Sequence, residues 1–300
     1  TKLTRLLSFL TVKPPGRCVK MKKEQIDDFT KLNVDFEDFD LDIRTSDDDH
    51  YYMEYKLEKN GRKNPLTWKD KDGELTLEEP AGGSGSYYIT YDLGIFSTHA
   101  DLTEKKDALN TVVLYIPEKA QLSEAELQLS DGDLAADQLL CKEMTLELLN
   151  GDLMLDKGEF EKFDAKLSDG DLNVKELQCI DNMQLKSGNG DVTIKKAELA
   201  DGQIALSDGD IQIDNSSFNG DMKINSSCGD VSVEMKNGSA EKTNIYLKAT
   251  DGDVDTEGLS RGKIDNEEDT SVYENKAGAS APTLNVECSD GDITLTESEK

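Results

Sequence analysis

Apolar and polar residues alternate in short runs along the C-terminal two thirds of the chain, and one kind of break separates the runs. Leu127-Gln128-Leu129 leads into Ser130-Asp131-Gly132-Asp133 and then Leu134; Ile204-Ala205-Leu206 leads into Ser207-Asp208-Gly209-Asp210 and then Ile211-Gln212-Ile213. Alternation at period two on both sides of the break predicts two half-buried strands. Asp-Gly or Asn-Gly between them is turn chemistry, because glycine accepts positive φ and Asp or Asn tolerates it.

The break recurs. Gly-Asp begins at Gly132, Gly151, Gly170, Gly190, Gly209, Gly229, Gly252 and Gly291, in steps of 19, 19, 20, 19, 20, 23 and 39 residues. A further Gly-Asp at Gly220 lies near the middle of its step, which suggests a second turn on the opposite side of that unit. The last step is twice the period, so a unit around Thr270-Ser271-Val272-Tyr273 reads as a coil that has lost the motif. A string of hairpins and a stacked solenoid both fit strand–turn–strand units. The near-constant period favours the solenoid: one unit cannot bury its apolar face, whereas units stacked in register bury a continuous one. The expected fold is all-β, a parallel, β-helix-like solenoid of 19–20-residue coils over residues 111–300. About nine coils at ~4.8 Å make a rod on the order of 40 Å long.

Residues 29–110 alternate too, at Leu32–Phe36, Phe39–Ile43, Tyr51–Leu57 and Glu74–Leu77, with a Gly-Ser-rich loop at 81–86. They are expected to form a β-rich cap over the first coil, since an exposed end rung is an open β edge. Thr111–Pro117 is a strand closed by proline and opens the array. Open end coils could also pair edge to edge, so a homodimer is an expected option.

Charge divides the chain differently. The net charge is −29, yet residues 1–23 hold seven basic residues and no acid, leaving −36 on the rest. Residues 1–28 therefore read as a basic tail, a juxtamembrane stub or the remnant of an anchor, their apolar run being far shorter than the ~20 residues that span a bilayer. A pI of about 4.3 excludes nucleic acid as a partner and favours cationic ones. The tether, if any, would lie outside this sequence.

Stacked coils would align Asp133, Asp152, Asp171, Asp191, Asp210, Asp230, Asp253 and Asp292 about 5 Å apart, where like charges repel by about 1 kcal/mol in water. Either each carboxylate accepts backbone N–H groups in its turn, or the column attracts cations diffusely, or it binds Ca²⁺, for which Asp133, Asp152, Asp171, Asp191 and Asp210 are the candidates. The first reading is preferred, because the motif lacks the double glycine of calcium-binding nonapeptide repeats. No catalytic residue and no cofactor is expected. His50 and His99 lie outside the repeats, and no nucleophile elbow, phosphate loop or zincin motif occurs. Cys18, Cys141, Cys179, Cys228 and Cys288 lack zinc spacing and read as small buried hydrophobes with free thiols, a hint of a reducing compartment. Trp68, with Tyr51, Tyr52, Tyr87, Tyr88 and Tyr91, reads as packing in the cap before it reads as a ligand patch.

The strand ending Leu114-Tyr115-Ile116-Pro117, the following Ala120-Gln121-Leu122, the serial Ser-Asp-Gly-Asp and Asn-Gly-Asp turns, and Val34–Leu57 with Arg44-Thr45-Ser46-Asp47 between strands resemble the bacterial β-strand-repeat family labelled "putative adhesin", a domain of unknown function, over about residues 29–296. The resemblance implies a β-solenoid, often membrane-tethered, and no catalytic residues. The expected function is a non-enzymatic structural or binding module of the bacterial cell envelope or surface, for a protein, glycan or cationic ligand. The alternatives are a cytoplasmic or membrane-tethered scaffold or regulatory domain, and a carbohydrate-active β-helix enzyme.

Overall fold

The structure is a computed structural model and describes residues 21–56, 58–59, 62–63, 66–79, 111–259 and 261–299. The described residues are almost entirely strand, with one 3-10 turn at Ala240–Lys242. The basic segment up to residue 20, the loop at 81–86, Tyr87, Tyr88, Tyr91, His99 and Cys18 lie outside the described residues.

The parallel solenoid expected from the repeat is present. In the coil opened by Gly132-Asp133 the inward residues are Leu134 and Ala136, then Leu139 and Cys141, then Met144, Leu146 and Leu148. Within each group every second side chain points inside, as in any strand. The three-residue steps between groups leave two consecutive residues pointing out, and there the chain turns. Each coil thus has three short sides and three corners, the Gly-Asp break being one corner. The next coil repeats the scheme nineteen residues on, with Leu134 paired to Leu153, Leu146 to Ala165 and Leu148 to Leu167. Phe160 and Phe163 stack inside with ring centroids 4.9 Å apart.

The 20-residue coils take their extra residue at a corner. Cys179 pairs with Phe160 but Asn182 with Lys162, so the register slips at Ile180-Asp181, leaving Ile180 62% exposed. Leu199 pairs with Phe218 and Gly202 with Met222, which puts the second extra residue at Asn219-Gly220-Asp221. Gly220 is therefore a turn away from the Gly-Asp corner, as its position within the repeat suggested. The sides cannot take an insertion, because a one-residue slip turns every inward side chain outward.

At both ends the coils do not stack in chain order. Strand β1 is Met21–Ile26, β2 Lys31–Phe36, β3 Asp40–Ser46 and β4 Tyr51–Lys56; β5 (Glu58–Lys59) and β6 (Arg62–Lys63) make a separate two-stranded ribbon; β7 is Thr67–Lys71, β8 Glu74–Glu78, β9 Thr111–Pro117 and β10 Leu122–Leu129. The β2–β3 coil lies between the β8/β9 rung and the array: β2 pairs with β8 on one side and β10 on the other, and β3 pairs with β9 and with Leu134–Ala136. The outer rung then carries antiparallel strands, β7 on β8, and β4 with β1 on β9. Two expectations change. Residues 21–26, placed in the tail by their charge, form the edge strand β1. And the section expected only to cover the first coil supplies a coil of its own, with its corner at Phe36–Asp40.

The other end mirrors this. The coil of Met222–Cys228 and Val231–Met235 pairs not with its successor in sequence but with Thr283–Asp290 and Ile293–Glu297. Asn244–Thr250 and Val254–Asp255 stack on the far side of that last coil. Residues Thr270–Asn275, read as a degenerate coil, pair antiparallel with Asn244–Thr250 and form a hairpin with Lys263–Glu267. The 39-residue step holds a capping hairpin, not a second coil. The edge strands at the two ends are short and charged (β1 carries Lys22 and Lys23, β7 Lys69 and Lys71), and every residue of Lys263–Glu267 is exposed. Such edges are poor templates for pairing.

Candidate functional site

The Gly-Asp corner is the one feature repeated on every rung of the array. Each aspartate amide donates to the carboxylate of the rung before: Asp133 to Asp40, Asp152 to Asp133, Asp171 to Asp152, Asp191 to Asp171, Asp210 to Asp191 and Asp230 to Asp210, at 2.8–3.0 Å. The column then follows the spatial order of the coils, Asp292 to Asp230 and Asp253 to Asp292, at 2.9 and 2.8 Å. Nine aspartates are thus joined in a column, eight of their carboxylates accepting a backbone N–H from the next. The acceptor role expected of them is present, but the donor comes from the neighbouring coil and not from the carboxylate's own turn. A shorter ladder runs at another corner, Asp221 N–H to Asp201 at 2.7 Å and Thr283 N–H to Asp221 at 2.8 Å.

Glycine is needed in the main ladder for a reason beyond its turn. A Cβ on Gly151 would stand 2.2 Å from the carbonyl oxygen of Gly132, and one on Gly170 2.1 Å from that of Gly151. The glycines stack face to carbonyl up the rod, and any side chain would push the rungs apart.

The residue before each glycine forms a second column that sequence reading missed. It runs Asp131, Asn150, Asp169, Asn189, Asp208 and Cys228, then Asp290. Asn150 donates its side-chain amide to Asp131 at 2.7 Å and Asn189 to Asp169 at 2.5 Å. From Asp131 to Asp290 amides, and once a thiol, alternate with carboxylates and keep like charges two rungs apart; the alternation ends at the last rung, where Asp251 precedes Gly252 beside Asp290. The alternation of Asp-Gly with Asn-Gly was visible in the repeats once they were set in register.

Elsewhere on the coils several acids are paired with lysines of the neighbouring rung. Lys162 meets Glu143 at 2.9 Å, Lys196 meets Glu176 at 2.8 Å and Lys175 meets Asp156 at 2.7 Å, each pair one rung apart. The lysine hydrogen bonds hold the Glu143 and Glu176 carboxyls below their ordinary range. The Gly-Asp corners from Ser130 to Asp292 contain no basic residue, so the carboxylates of the ladder stand in a row along that edge. Among the described residues no group of three or more His, Cys, Asp or Glu is placed to hold a metal ion. If the ladder oxygens serve as acceptors only, Asp171→Asn keeps an oxygen for the Asp191 amide and changes stability by under about 0.5 kcal/mol, whereas Asp171→Ala leaves that amide without a partner and costs about 1 kcal/mol. Urea unfolding in chelator and in calcium should give the same order of stabilities in both.

The remaining candidates are structural. Cys141, Cys179 and Cys288 are buried and free, while Cys228 is exposed at the corner, against the expectation of buried thiols. Burial pushes the Cys141 thiol up to about 12 and raises those of Cys179 and Cys288. Partial desolvation and the Asp208 and Asp290 carboxylates raise the Cys228 thiol too, but of the four it alone is exposed, so alkylation of the native protein at pH 8, read by peptide mass spectrometry, should label Cys228 first, and the other three only in denaturant. His50 is exposed, with Nδ1 3.5 Å from Asp48. Trp68 packs on the rim of the core and Tyr51 on Phe29, at 4.9 Å between centroids, while Lys23 lies over the Tyr52 and Tyr115 rings. A groove of about 510 Å³ at the C-terminal end is lined by Ile245, Tyr246, Glu274 and Ala279. Its wall at 277–281 is held by the Asn244 side chain, which accepts from the Ala277 and Gly278 amides and donates to the Gly278 and Ala281 carbonyls.

A three-sided parallel coil with hairpin-capped ends and a glycine–aspartate corner defines a β-solenoid protein. The family within that class is set by sequence: the chain belongs to the Toastrack DUF4097 family, which matches residues 29–296. The fold resembles a protein from Parabacteroides merdae described as a "putative adhesin", with 16% identity, a TM-score of 0.54, and 94% of this chain and 96% of that one covered. A "putative adhesin" from Bacteroides fragilis (13% identity, TM-score 0.42, 95% and 99% covered) and a "putative lipid binding protein" from Parabacteroides distasonis (12%, 0.48, 93% and 96%) are also similar. None of these is described as an enzyme. Among curated proteins, none matches the sequence.

Proposed function

We propose that this protein is a non-enzymatic structural or binding module of a bacterial envelope or cell surface. The observation that carries this reading is the Gly-Asp edge, a rigid row of carboxylates along the rod with no basic residue among its corners. Such an edge attracts cationic partners, and field lines along a uniform row raise their local concentration. The name "putative adhesin" borne by the solved protein of like fold agrees with display at a surface. A glycan or a neutral protein surface is the other ligand class the module would serve. Protease shaving of intact native cells, probed for residues 29–300, tests the location. Loss of the signal is the expected result. Protection until lysis would overturn the surface reading.

One observation favours a second reading, a cytoplasmic or membrane-tethered scaffold. Cys141, Cys179, Cys228 and Cys288 are all free, which suits a reducing compartment. Full protection in the shaving experiment would make that scaffold the working assignment.

A further inference from the structure

We infer that the last coil, Thr283–Glu297, is a clasp that holds the C-terminal cap on the rod, with the β2–β3 coil as its counterpart at the other end. The geometry lies in the pairing. Leu284, Val286 and Cys288 pair on one side with Met222, Ile224 and Ser226, and on the other Leu284 and Val286 pair with Ile245 and Leu247. Ile293 and Leu295 pair with Val231 and Val233, and Ile293 also with Val254. Among the described residues no pairing joins Asn244–Thr250 directly to Met222–Cys228. The cap strands Thr270–Asn275 and Lys263–Glu267 pair with the rod through Asn244–Thr250, the Asn275 side chain also donates to the Ala240 and Thr243 carbonyls, and the Ser271 hydroxyl accepts from the Val254 amide.

Further bonds fasten the clasp where the chain leaves the array. The Ser298 amide donates to the Met235 carbonyl at 2.9 Å, the Ala240 amide to Glu297 at 2.7 Å, and the Asn237 amide to the Ser298 hydroxyl at 3.1 Å. The side chains between the rungs are buried: Ile224, Leu247, Leu284, Val286, Ile293 and Leu295 are each 0% exposed.

Two consequences separate this arrangement from a solenoid stacked in chain order. Residues 244–275 pair with the rod only once the segment that follows them has docked, so this end of the chain folds back to front. In the native protein the C-terminal coil opens only after the residues that precede it, so the end of the chain does not fray first. Local openings of this kind are resolved residue by residue by native-state hydrogen exchange.

The experiment is native-state hydrogen exchange on the full chain at increasing sub-denaturing urea, for the wild type, Leu247→Asp and Val286→Asp. In the wild type the amides of 245–249 and 271–275 should open at lower urea than those of 284–288. Leu247→Asp should strip protection from 245–249 and 271–275 by at least about tenfold while 284–288 stay protected. Val286→Asp should strip both sets and leave 144–206 protected. The inference is overturned if 284–288 open before 245–249 in the wild type, or if Val286→Asp leaves 245–249 protected. The wild-type order alone decides the matter should either variant fail to fold.

Discussion

Gly190→Ala is expected to destabilise the protein by about 3–5 kcal/mol, seen as a large fall in the urea midpoint. Gly190 adopts φ +110, and a Cβ there would lie 2.3 Å from the Gly170 carbonyl oxygen and 2.7 Å from its carbon. Both obstacles are backbone atoms, which cannot rotate aside. An L-residue forced into that conformation costs about 1–3 kcal/mol, and prying two packed rungs apart adds a similar overpacking cost of about 1–3 kcal/mol. Gly73→Ala is the control. Gly73 has φ +78 but nothing within 4 Å of its would-be Cβ, so only the conformational cost of about 1–2 kcal/mol remains. Equal losses in the two variants would show that stacking against the preceding carbonyl contributes nothing.

Phe163→Ala should cost about 3–5 kcal/mol, the range for truncating a buried aromatic to alanine. Phe163 is 1% exposed and stacks on Phe160 at an interplanar angle of 13°. Its neighbours on adjacent rungs at the same register are Met144 and Met183, so the cavity is bounded by flexible side chains, and partial collapse of those methionines would bring the loss toward the lower figure. Exchange of amides on the neighbouring rungs should rise with it, because in a one-dimensional stack each coil contacts only its neighbours. A loss under about 1 kcal/mol would mean that the rungs repack around the gap.

The repeat was legible because its corner chemistry is local. Gly-Asp, the strands on either side and the nineteen-residue step are all read within one coil, and Gly220 was recognisable as a turn from its place in the step. The three-sided coil was equally present, in the three-residue gaps between buried pairs such as Ala136 to Leu139, but a search for alternation passes over those gaps. What stayed hidden is non-local. Asp40 extends the carboxylate column although its corner, Phe36-Glu37-Asp38-Phe39, has no glycine, and only pairing with Asp133 reveals it. Thr270–Asn275 alternates like any coil strand, and nothing in its residues says that it runs antiparallel. The order of the end rungs is likewise fixed by which surfaces fit, for example Val286 between Ile224 and Leu247. Of the candidate site, the aspartate column was visible and its hydrogen-bond donors were not, since they belong to the next coil.

The position of the chain's outermost coils bears on how the rod meets mechanical load. A pull applied at the end of an ordinary stack peels the last strand away along one row of hydrogen bonds at a time. Here Thr283–Asp290, the long strand of the last coil, is bonded along both edges, and Lys31–Phe36 at the other end likewise. Tension that reaches these strands is shared between two rows of hydrogen bonds at once.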